Sequence, residues 1–278
     1  MSISSDPSQT KPRPTSLAEV REEIDRIDAA MHQLLIERSA VIGDLIAIKK
    51  VQPVSPGDDP ARRTSAFRPA REASKMRHII ESHTGLLPLD TVESIWRVII
   101  STFTYVQAPY DVTYAQSVDP QAMRDVARFH FGYTVPSHSV DTVSEVLATV
   151  GTRGDALGLV PIPGEGAWWQ ALEAEDAPNV IARLPFVERA DHPAGTPCLV
   201  LANAPIDEEV MATRVVSVRV AGEPTLPSGA DIMARVGDAM LVSADDEAVL
   251  EQLVRTPGID RAVIVGSHAP IFAPVAPT

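Results

Sequence analysis

An uninterrupted helical pattern near the start of the chain constrains its fold more than any other feature. It begins after Ser16, a residue type that caps helix N-termini, and continues to about Lys50. A helix of more than thirty residues exceeds the usual length of about 8 to 20 residues and depends on packing for its stability. We therefore expect another helix or another subunit to pack along most of it.

Two basic residues lie within the apolar stripe of this predicted helix. At about 100° per residue, the eleven-residue spacing of Arg38 and Lys49 corresponds to about three turns, so both side chains share a face with Met31 and Leu34. Burying a cation is unfavourable unless an anion compensates it. The pair therefore indicates half of an anion site or half of a buried ion pair, unless the side chains extend to solvent.

The charge of the chain restricts its partners. With 24 Lys and Arg against 37 Asp and Glu, the formal net charge is -13, which argues against a nucleic-acid-binding surface because phosphate recognition relies on clustered basic residues. A local basic pocket for a small anion is compatible with this charge. The single cysteine, Cys198, excludes an intrachain disulfide, and the seven histidines show no metal-ligand spacing. We expect no metal site.

The hydropathy pattern gives an expectation about location. No segment approaches the ~20 apolar residues of a membrane-spanning helix, and the N-terminal residues lack the apolar core of an export signal. We predict a cytoplasmic protein with no membrane association. Residues 1–15 are interpreted as a disordered lead-in.

Proline and glycine residues divide the segment after the long helix. The stretch 51–67 is rich in Pro, Gly, Ser and Asp and is predicted to be a loop. A second helix is expected to begin at Pro69, a favoured first helical position, and a third to run from about Asp90 to Gln107. The sequence thus predicts an all-α domain of three helices over residues 16–108.

Beyond residue 110 short β-rich segments alternate with helical ones, a pattern typical of α/β domains. Helices are expected around 119–130 and 141–150 and in the segment DDEAVLEQLVR. The seven candidate strands are DVTYA, TVPSHSV, ALGLVPI, TPCLVLA, RVVSVRVAG, AMLVSA and RAVIVGS. We predict an α/β domain over residues 111–278.

Charged and amide residues on the three predicted helices match the motif pattern of a known family. The matching residues are Arg21, Arg38, Lys49, Arg71, Glu72 and Gln107. With them, the N-terminal region resembles the all-helical chorismate mutases, specifically the mutase module of chorismate mutase/prephenate dehydratase proteins. The resemblance implies a dimeric three-helix fold. It also implies the isomerisation of chorismate to prephenate in phenylalanine and tyrosine biosynthesis, without a cofactor.

The implied substrate gives the arginines their roles. Chorismate is a dicarboxylate, and its rearrangement is intramolecular, so an enzyme assists by holding a compact conformer. By resemblance, Arg21 and Arg38 bind the two carboxylates and Arg71 assists. Because Arg21 precedes Arg38 by seventeen residues, about 25 Å along a helix, it reaches the same ligand only from a second subunit. We therefore expect a homodimer through antiparallel long helices.

The remaining motif residues would act on the reacting atoms. By resemblance, Lys49 and Gln107 donate to the ether oxygen, where negative charge develops, and Glu72 accepts from the ring hydroxyl. Two positions depart from the family, which usually has a serine where Phe103 stands and an acidic residue where Arg68 stands. These departures favour an alternative hypothesis, an inactive protein that senses a metabolite of the aromatic pathway.

The second domain resembles a degenerate prephenate dehydratase domain, a truncated lobe of the periplasmic-binding-like type. The segments VARFHFG and ALGLVPI carry the likeness. Pro163 and Gly164 replace the Glu-Asn of the family's Pro-Ile-Glu-Asn motif, and Pro197 and Cys198 replace the Arg-Phe of its Thr-Arg-Phe motif. We therefore expect a non-catalytic, regulatory or partner-binding domain, and a bifunctional mutase and dehydratase is a less favoured alternative.

Two features of this domain have ordinary structural interpretations. Trp168 and Trp169 are expected to pack against the sheet, since large aromatic side chains are commonly used in this way. Cys198 lies in a predicted strand, which favours a buried, unreactive thiol.

Overall fold

The computed structural model of the chain describes residues 15–51, 67–203 and 213–274. The chain divides between Pro53 and Val54 into two compact units. Of the predicted lead-in, all but Thr15 lies outside the described residues, and so does the predicted loop apart from its two ends. The predicted domain boundary between residues 108 and 111 stays a prediction.

The first unit contains one described helix, α1, which runs from Leu17 to Val51 and is therefore about 52 Å long. The helix begins as predicted. Ser16 caps its N-terminus, since the backbone N–H of Glu19 donates to Ser16 Oγ at 3.2 Å. Apolar residues recur at alternating steps of three and four, the pattern of a coiled-coil seam. The seam residues are Leu17, Val20, Ile24, Ile27, Met31, Leu34, Val41, Leu45 and Ile48, with Arg38 in the same register.

The second unit contains the other described helices and all the described strands. Its elements are α2 (Pro69–Ser82), α3 (Leu89–Gln107), β1 (Asp111–Ala115), α4 (Pro120–Phe131), β2 (Ser137–Val140), α5 (Val143–Gly151), β3 (Ala156–Pro161), a 3-10 helix (Trp168–Glu173), β4 (Asn179–Leu184), β5 (Cys198–Ala202), β6 (Thr213–Val220), β7 (Ala230–Val236), β8 (Ala239–Ala244), α6 (Glu247–Val254) and β9 (Ile259–His268). The predicted order of three helices followed by an α/β sheet is confirmed.

The nine described strands form one sheet in the order β2-β1-β3-β5-β4-β9-β6-β8-β7. Strands β2, β1 and β3 are parallel neighbours, with α4 and α5 as the crossovers between them. The strands from β6 to β9 pair antiparallel with one another. A single residue pair, Val180 with Gly266, joins β4 to β9. A side chain at Gly266 would collide with the Val180 backbone, so this junction needs a glycine.

All seven predicted strands are present, and the described residues contain two further strands that the sequence did not predict. Strand β7 lies at the edge of the sheet and is mostly exposed, so its sequence ADIMARV lacks a clear apolar alternation. Strand β4 is largely buried but includes Asn179 and Arg183, which interrupt the apolar run. Hydrophobic patterning alone does not identify a strand of either kind.

The helices α2 and α3 share a hydrophobic core with the sheet. This core includes Met76 of α2, Val92 of α3, Phe131 of α4 and Leu184 of β4. A second core contains Trp168 and Trp169 together with strand residues, as predicted. Cys198 is fully buried, as predicted, and burial raises the pKa of its thiol to about 12. Within the described ranges, no helix combines the length and apolarity that a membrane crossing requires.

Candidate functional site

The three predicted site residues of the first unit lie along α1. Arg21 is exposed, whereas Arg38 and Lys49 are half-buried. Burial lowers the pKa of the Arg38 guanidinium. Along the helix axis, Lys49 lies about 16 Å from Arg38 and about 42 Å from Arg21. A single copy of α1 therefore does not bring Arg21 to the same small ligand as Lys49.

Most of the apolar seam of α1 is exposed in the single chain. Leu34 is 63% exposed and Met31 is 55% exposed, and the remaining seam residues except Leu45 are at least 39% exposed. Arg38 is the charged member of this seam and follows Leu34 by four residues. An exposed apolar stripe of this length with one embedded cation is the surface that a partner helix covers in a coiled coil.

At the start of α2 the two neighbouring site residues have opposite environments. Arg71 is exposed, whereas Glu72 is 6% exposed. The buried carboxylate is engaged within the unit, because Arg97 Nη1 of α3 donates to Glu72 Oε2 at 2.7 Å. A substrate hydroxyl that binds Glu72 would therefore share the carboxylate with Arg97.

Arg97 also joins α3 to the end of α4. Its Nη2 and Nε atoms donate to the backbone carbonyl of His130 at 2.8 and 3.2 Å, and Ser101 Oγ donates to the Phe131 carbonyl at 3.0 Å. The last carbonyls of a helix have no intrahelical partners, so these side chains satisfy groups that would otherwise be buried unpaired. The guanidinium also lies 4.9 Å from the centre of the Phe186 ring.

The last predicted site residue, Gln107, closes α3. Its side chain is half-buried and turned back along the helix, where Nε2 donates to the Phe103 carbonyl at 3.0 Å. The Phe103 side chain, which stands where the family usually has a serine, is also half-buried. If Gln107 donates the same N–H to a ligand, its hydrogen bond to the Phe103 carbonyl must break first.

A second buried polar cluster was not predicted from the sequence. Glu93 Oε2 of α3 accepts from Arg189 Nη2 at 3.3 Å and lies 3.2 Å from His192 Nε2. The His192 ring stacks on the His130 ring with a centroid distance of 5.9 Å. Burial lowers the pKa of His130 well below its usual value, and the charge of Arg97 acts in the same direction.

The sequence contains a pattern that could have predicted part of this cluster. Glu93 and Arg97 are four residues apart within an apolar helix, which is the same criterion that identified Arg38 and Lys49. The loop residues Arg189 and His192 have no comparable periodicity, because only the fold brings them to α3.

The six predicted residues thus belong to two sets. Arg21, Arg38 and Lys49 lie on α1 in the first unit, and the remaining three lie on α2 and α3 in the second. In the second set, Glu72 and Gln107 are each hydrogen-bonded to a residue of α3. The structure also shows that Arg97, which the sequence analysis did not single out, hydrogen-bonds to Glu72.

Comparison with known proteins identifies the helical region. Residues 20–108 match the family model of chorismate mutase type II. The bifunctional chorismate mutase/prephenate dehydratase of Pseudomonas aeruginosa is 29% identical over 162 residues, which cover 57% of this chain and 42% of that protein. The protein of the same name from Neisseria gonorrhoeae is 28% identical over 160 residues, with 55% and 39% covered.

The similarity has a limited extent. The chain spans about two fifths of the length of the curated relatives that it matches. A structure of prephenate dehydratase from Streptococcus mutans aligns with 59% of this chain and 100% of its own, with a TM-score of 0.39 and 15% identity. Over residues 20–108 the chain is similar to the chorismate mutase type II family.

Proposed function

We propose that this protein is a chorismate mutase, which converts chorismate to prephenate in phenylalanine and tyrosine biosynthesis in the cytoplasm. The family match over residues 20–108 supports the reaction class. The single observation that carries the proposal is the half-buried pair Arg38 and Lys49, which lie eleven residues apart on one side of α1. Arginine and lysine side chains form strong charge-assisted hydrogen bonds with carboxylates, so this pair suits a dicarboxylate substrate.

The proposed mechanism relies on positioning and electrostatic stabilisation. Arg38 and the Arg21 of a second subunit bind the carboxylates, with Arg71 assisting, so that the substrate is held in its compact reactive conformer. Lys49 donates to the ether oxygen as the carbon–oxygen bond breaks. No proton is transferred in this rearrangement, so fixed donors are sufficient.

The family resemblance also assigns roles to Gln107 and Glu72. Gln107 donates its amide N–H to the ether oxygen after leaving the Phe103 carbonyl, to which it is bonded at 3.0 Å. Glu72 accepts a hydrogen bond from the ring hydroxyl and, at the same time, one from Arg97 Nη1 at its Oε2 atom. Arg97 then serves as a positioning residue, because it fixes the Glu72 carboxylate in one place.

The active form in this proposal is a homodimer. The exposed heptad seam of α1 supports it, since burying a seam of this length requires a second helix. An antiparallel copy of α1 is the partner that brings Arg21 to the opposite Arg38. The dimer therefore contributes both stability and one of the substrate-binding residues.

Two alternatives each have one supporting observation. The hydrogen bonds that already engage Glu72 and Gln107 favour an inactive protein that senses an aromatic-pathway metabolite. The names of the relatives favour a bifunctional mutase and dehydratase. Pro163, Gly164 and Pro197 argue against dehydration, because they replace the polar residues of the dehydratase motifs.

One pair of assays separates the three hypotheses. The loss of chorismate absorbance is followed with the purified full-length chain, and the product is then tested for phenylpyruvate without acid treatment. Chorismate loss without phenylpyruvate supports the monofunctional mutase. Phenylpyruvate formation would establish the bifunctional enzyme, and the absence of chorismate loss would leave the sensing protein.

A further inference from the structure

A cavity of about 700 Å³ lies at one end of the sheet in the second unit. Its walls come from the carboxyl ends of β4, β8 and β9 and from the starts of β6 and β7. Its size lies within the ~300–1,000 Å³ range of small-molecule sites. The six residues assigned to the mutase site are not part of its lining.

The cavity lining includes one histidine, His268, which is buried. His268 is 1% exposed, and its Nδ1 lies 2.7 Å from the Ala269 carbonyl. Because a carbonyl oxygen can only accept, Nδ1 carries the proton of the neutral ring and Nε2 is left as an acceptor. This Nε2 has no hydrogen-bond partner among the described residues. Burial lowers the pKa of His268 to about 4, so the ring is neutral at neutral pH.

The charged groups around the cavity have a net negative charge. Among its described lining residues, Glu188, Asp231 and Asp245 provide three carboxylates against one guanidinium, that of Arg183. Arg183 Nη2 donates to Glu188 Oε1 at 3.3 Å, so these two charges largely compensate each other. The carboxylates of Asp231 and Asp245 are both on exposed residues at the cavity wall. The lining is therefore rich in acceptors and favours a cation.

The rest of the cavity wall is mostly apolar, although Thr213 and Ser243 also belong to it. Ile162, Met233 and Ile271 are part of the lining, together with Pro163 and Pro197. Within the described part of the chain, no group of three or more His, Cys, Asp or Glu side chains is placed to hold a metal. The cation that fits both surfaces is organic, with N–H donors at one end and an apolar body.

We propose that this cavity binds a small organic cation, a primary ammonium compound with an apolar body, at a site separate from the mutase centre. The ammonium group donates to His268 Nε2 and to the carboxylates of Asp231 and Asp245. Its apolar body packs against the Ile162, Met233 and Ile271 side chains. An ammonium group has three N–H donors and no acceptor, which matches a wall that offers acceptors.

Isothermal titration calorimetry on the full-length chain tests the proposal with three probes of the same length: hexylammonium, hexanoate and 1-hexanol. We expect hexylammonium to bind most tightly, because only this probe combines the required charge with the apolar body. Equal or tighter binding of hexanoate, or no heat with hexylammonium at millimolar concentration, would overturn the proposal.

Substitutions locate the binding to this cavity. The exposed pair Asp231→Asn and Asp245→Asn should weaken hexylammonium binding about tenfold, since each lost contact is partly solvated. Asp260→Asn is the matched control, because Asp260 is an exposed acid of β9 outside the cavity lining. His268→Leu should weaken binding as well. If this buried variant does not fold, the double variant at the two exposed positions still tests the proposal. Unchanged affinity in the double variant would place any binding elsewhere and contradict the proposal.

Discussion

Arg97 Nη1 lies 2.7 Å from Glu72 Oε2 in an ion pair that is almost completely buried and that connects α3 to α2. Removal of one partner leaves an uncompensated buried charge, a change that commonly costs about 3–5 kcal/mol. The pair matters for function because Glu72 is also the residue proposed to bind the substrate hydroxyl. Its structural contribution must therefore be measured separately from any contribution to catalysis.

We expect Glu72→Leu to lower the free energy of unfolding by about 3 kcal/mol or more, because Arg97 is then buried without its carboxylate. The double variant with Arg97→Met should lose much less than the sum of the single losses. Urea unfolding of the four proteins gives the coupling energy, which should be about 2 kcal/mol or larger. Additive losses would show that the pair is not an energetic unit.

The exposed apolar seam of α1 leads to a prediction about dimer formation. Leu34→Glu places a charge in the seam and should convert the proposed dimer to a monomer, as measured by light scattering after size-exclusion chromatography. Ile36→Glu is the control, because Ile36 is 49% exposed but lies outside the seam register. Mutase activity should fall as well, since the proposed site takes its Arg21 from a second subunit. A protein that stays dimeric with Leu34→Glu would contradict the proposed interface.

The neutral amide of Gln107 predicts how activity depends on pH. The native protein should show nearly constant kcat/KM around neutral pH, because the proposed donors there do not titrate. Gln107→Glu introduces a carboxyl group that can donate only when it is protonated, and its ordinary pKa is about 4.3. Activity of this variant should therefore decrease as the pH rises from about 5 to 8. A flat profile for the variant would remove Gln107 from the reacting centre.

Buried His130 predicts sensitivity to acid. Its pKa is lowered in the folded protein, first by burial and then by the charges of Arg97 and His192. The unfolded chain consequently binds a proton below about pH 6.5 that the folded protein does not bind. The free energy of unfolding should decrease as the pH falls through this range, by up to about 1.4 kcal/mol per pH unit for this residue.

The variant His130→Leu should reduce that slope. Both ring nitrogens of His130 are buried without a hydrogen-bond partner among the described residues, so we expect stability near pH 7 to be maintained. His78→Leu is the control, because His78 is an exposed residue on α2. Denaturant unfolding at a series of pH values measures both slopes. Equal slopes for the native protein and His130→Leu would rule out this residue as a source of acid sensitivity.

Sequence patterns predicted the elements with regular and strong periodicity. Helix α1 was predicted to within about one residue at each end, because Ser16 caps it and its apolar residues are regularly spaced. Strand β7 was missed because an exposed edge strand does not need apolar alternation. The family resemblance was carried by residues on three helices, and the match over residues 20–108 identifies the same region.

The environment of the candidate residues was not predictable in the same way. Nothing in the sequence distinguishes the buried Glu72 from its exposed neighbour Arg71, because burial depends on the α3 side chain that reaches it. His268 and Asp231 line one cavity although the strands that carry them are far apart in sequence. Such contacts depend on the order of strands in the sheet, and local periodicity does not encode that order.

The most direct test of the account compares the rate of chorismate loss for the native protein, Lys49→Ala and Arg26→Ala. Both substitutions remove a cation from α1, but Arg26 is an exposed residue paired with Glu23 at 2.8 Å. We predict that Lys49→Ala lowers kcat by about 10²–10³, the usual effect of removing a donor to developing negative charge, and that Arg26→Ala retains native activity. Native-like activity of Lys49→Ala, or no chorismate loss with the native protein, would contradict the central claim.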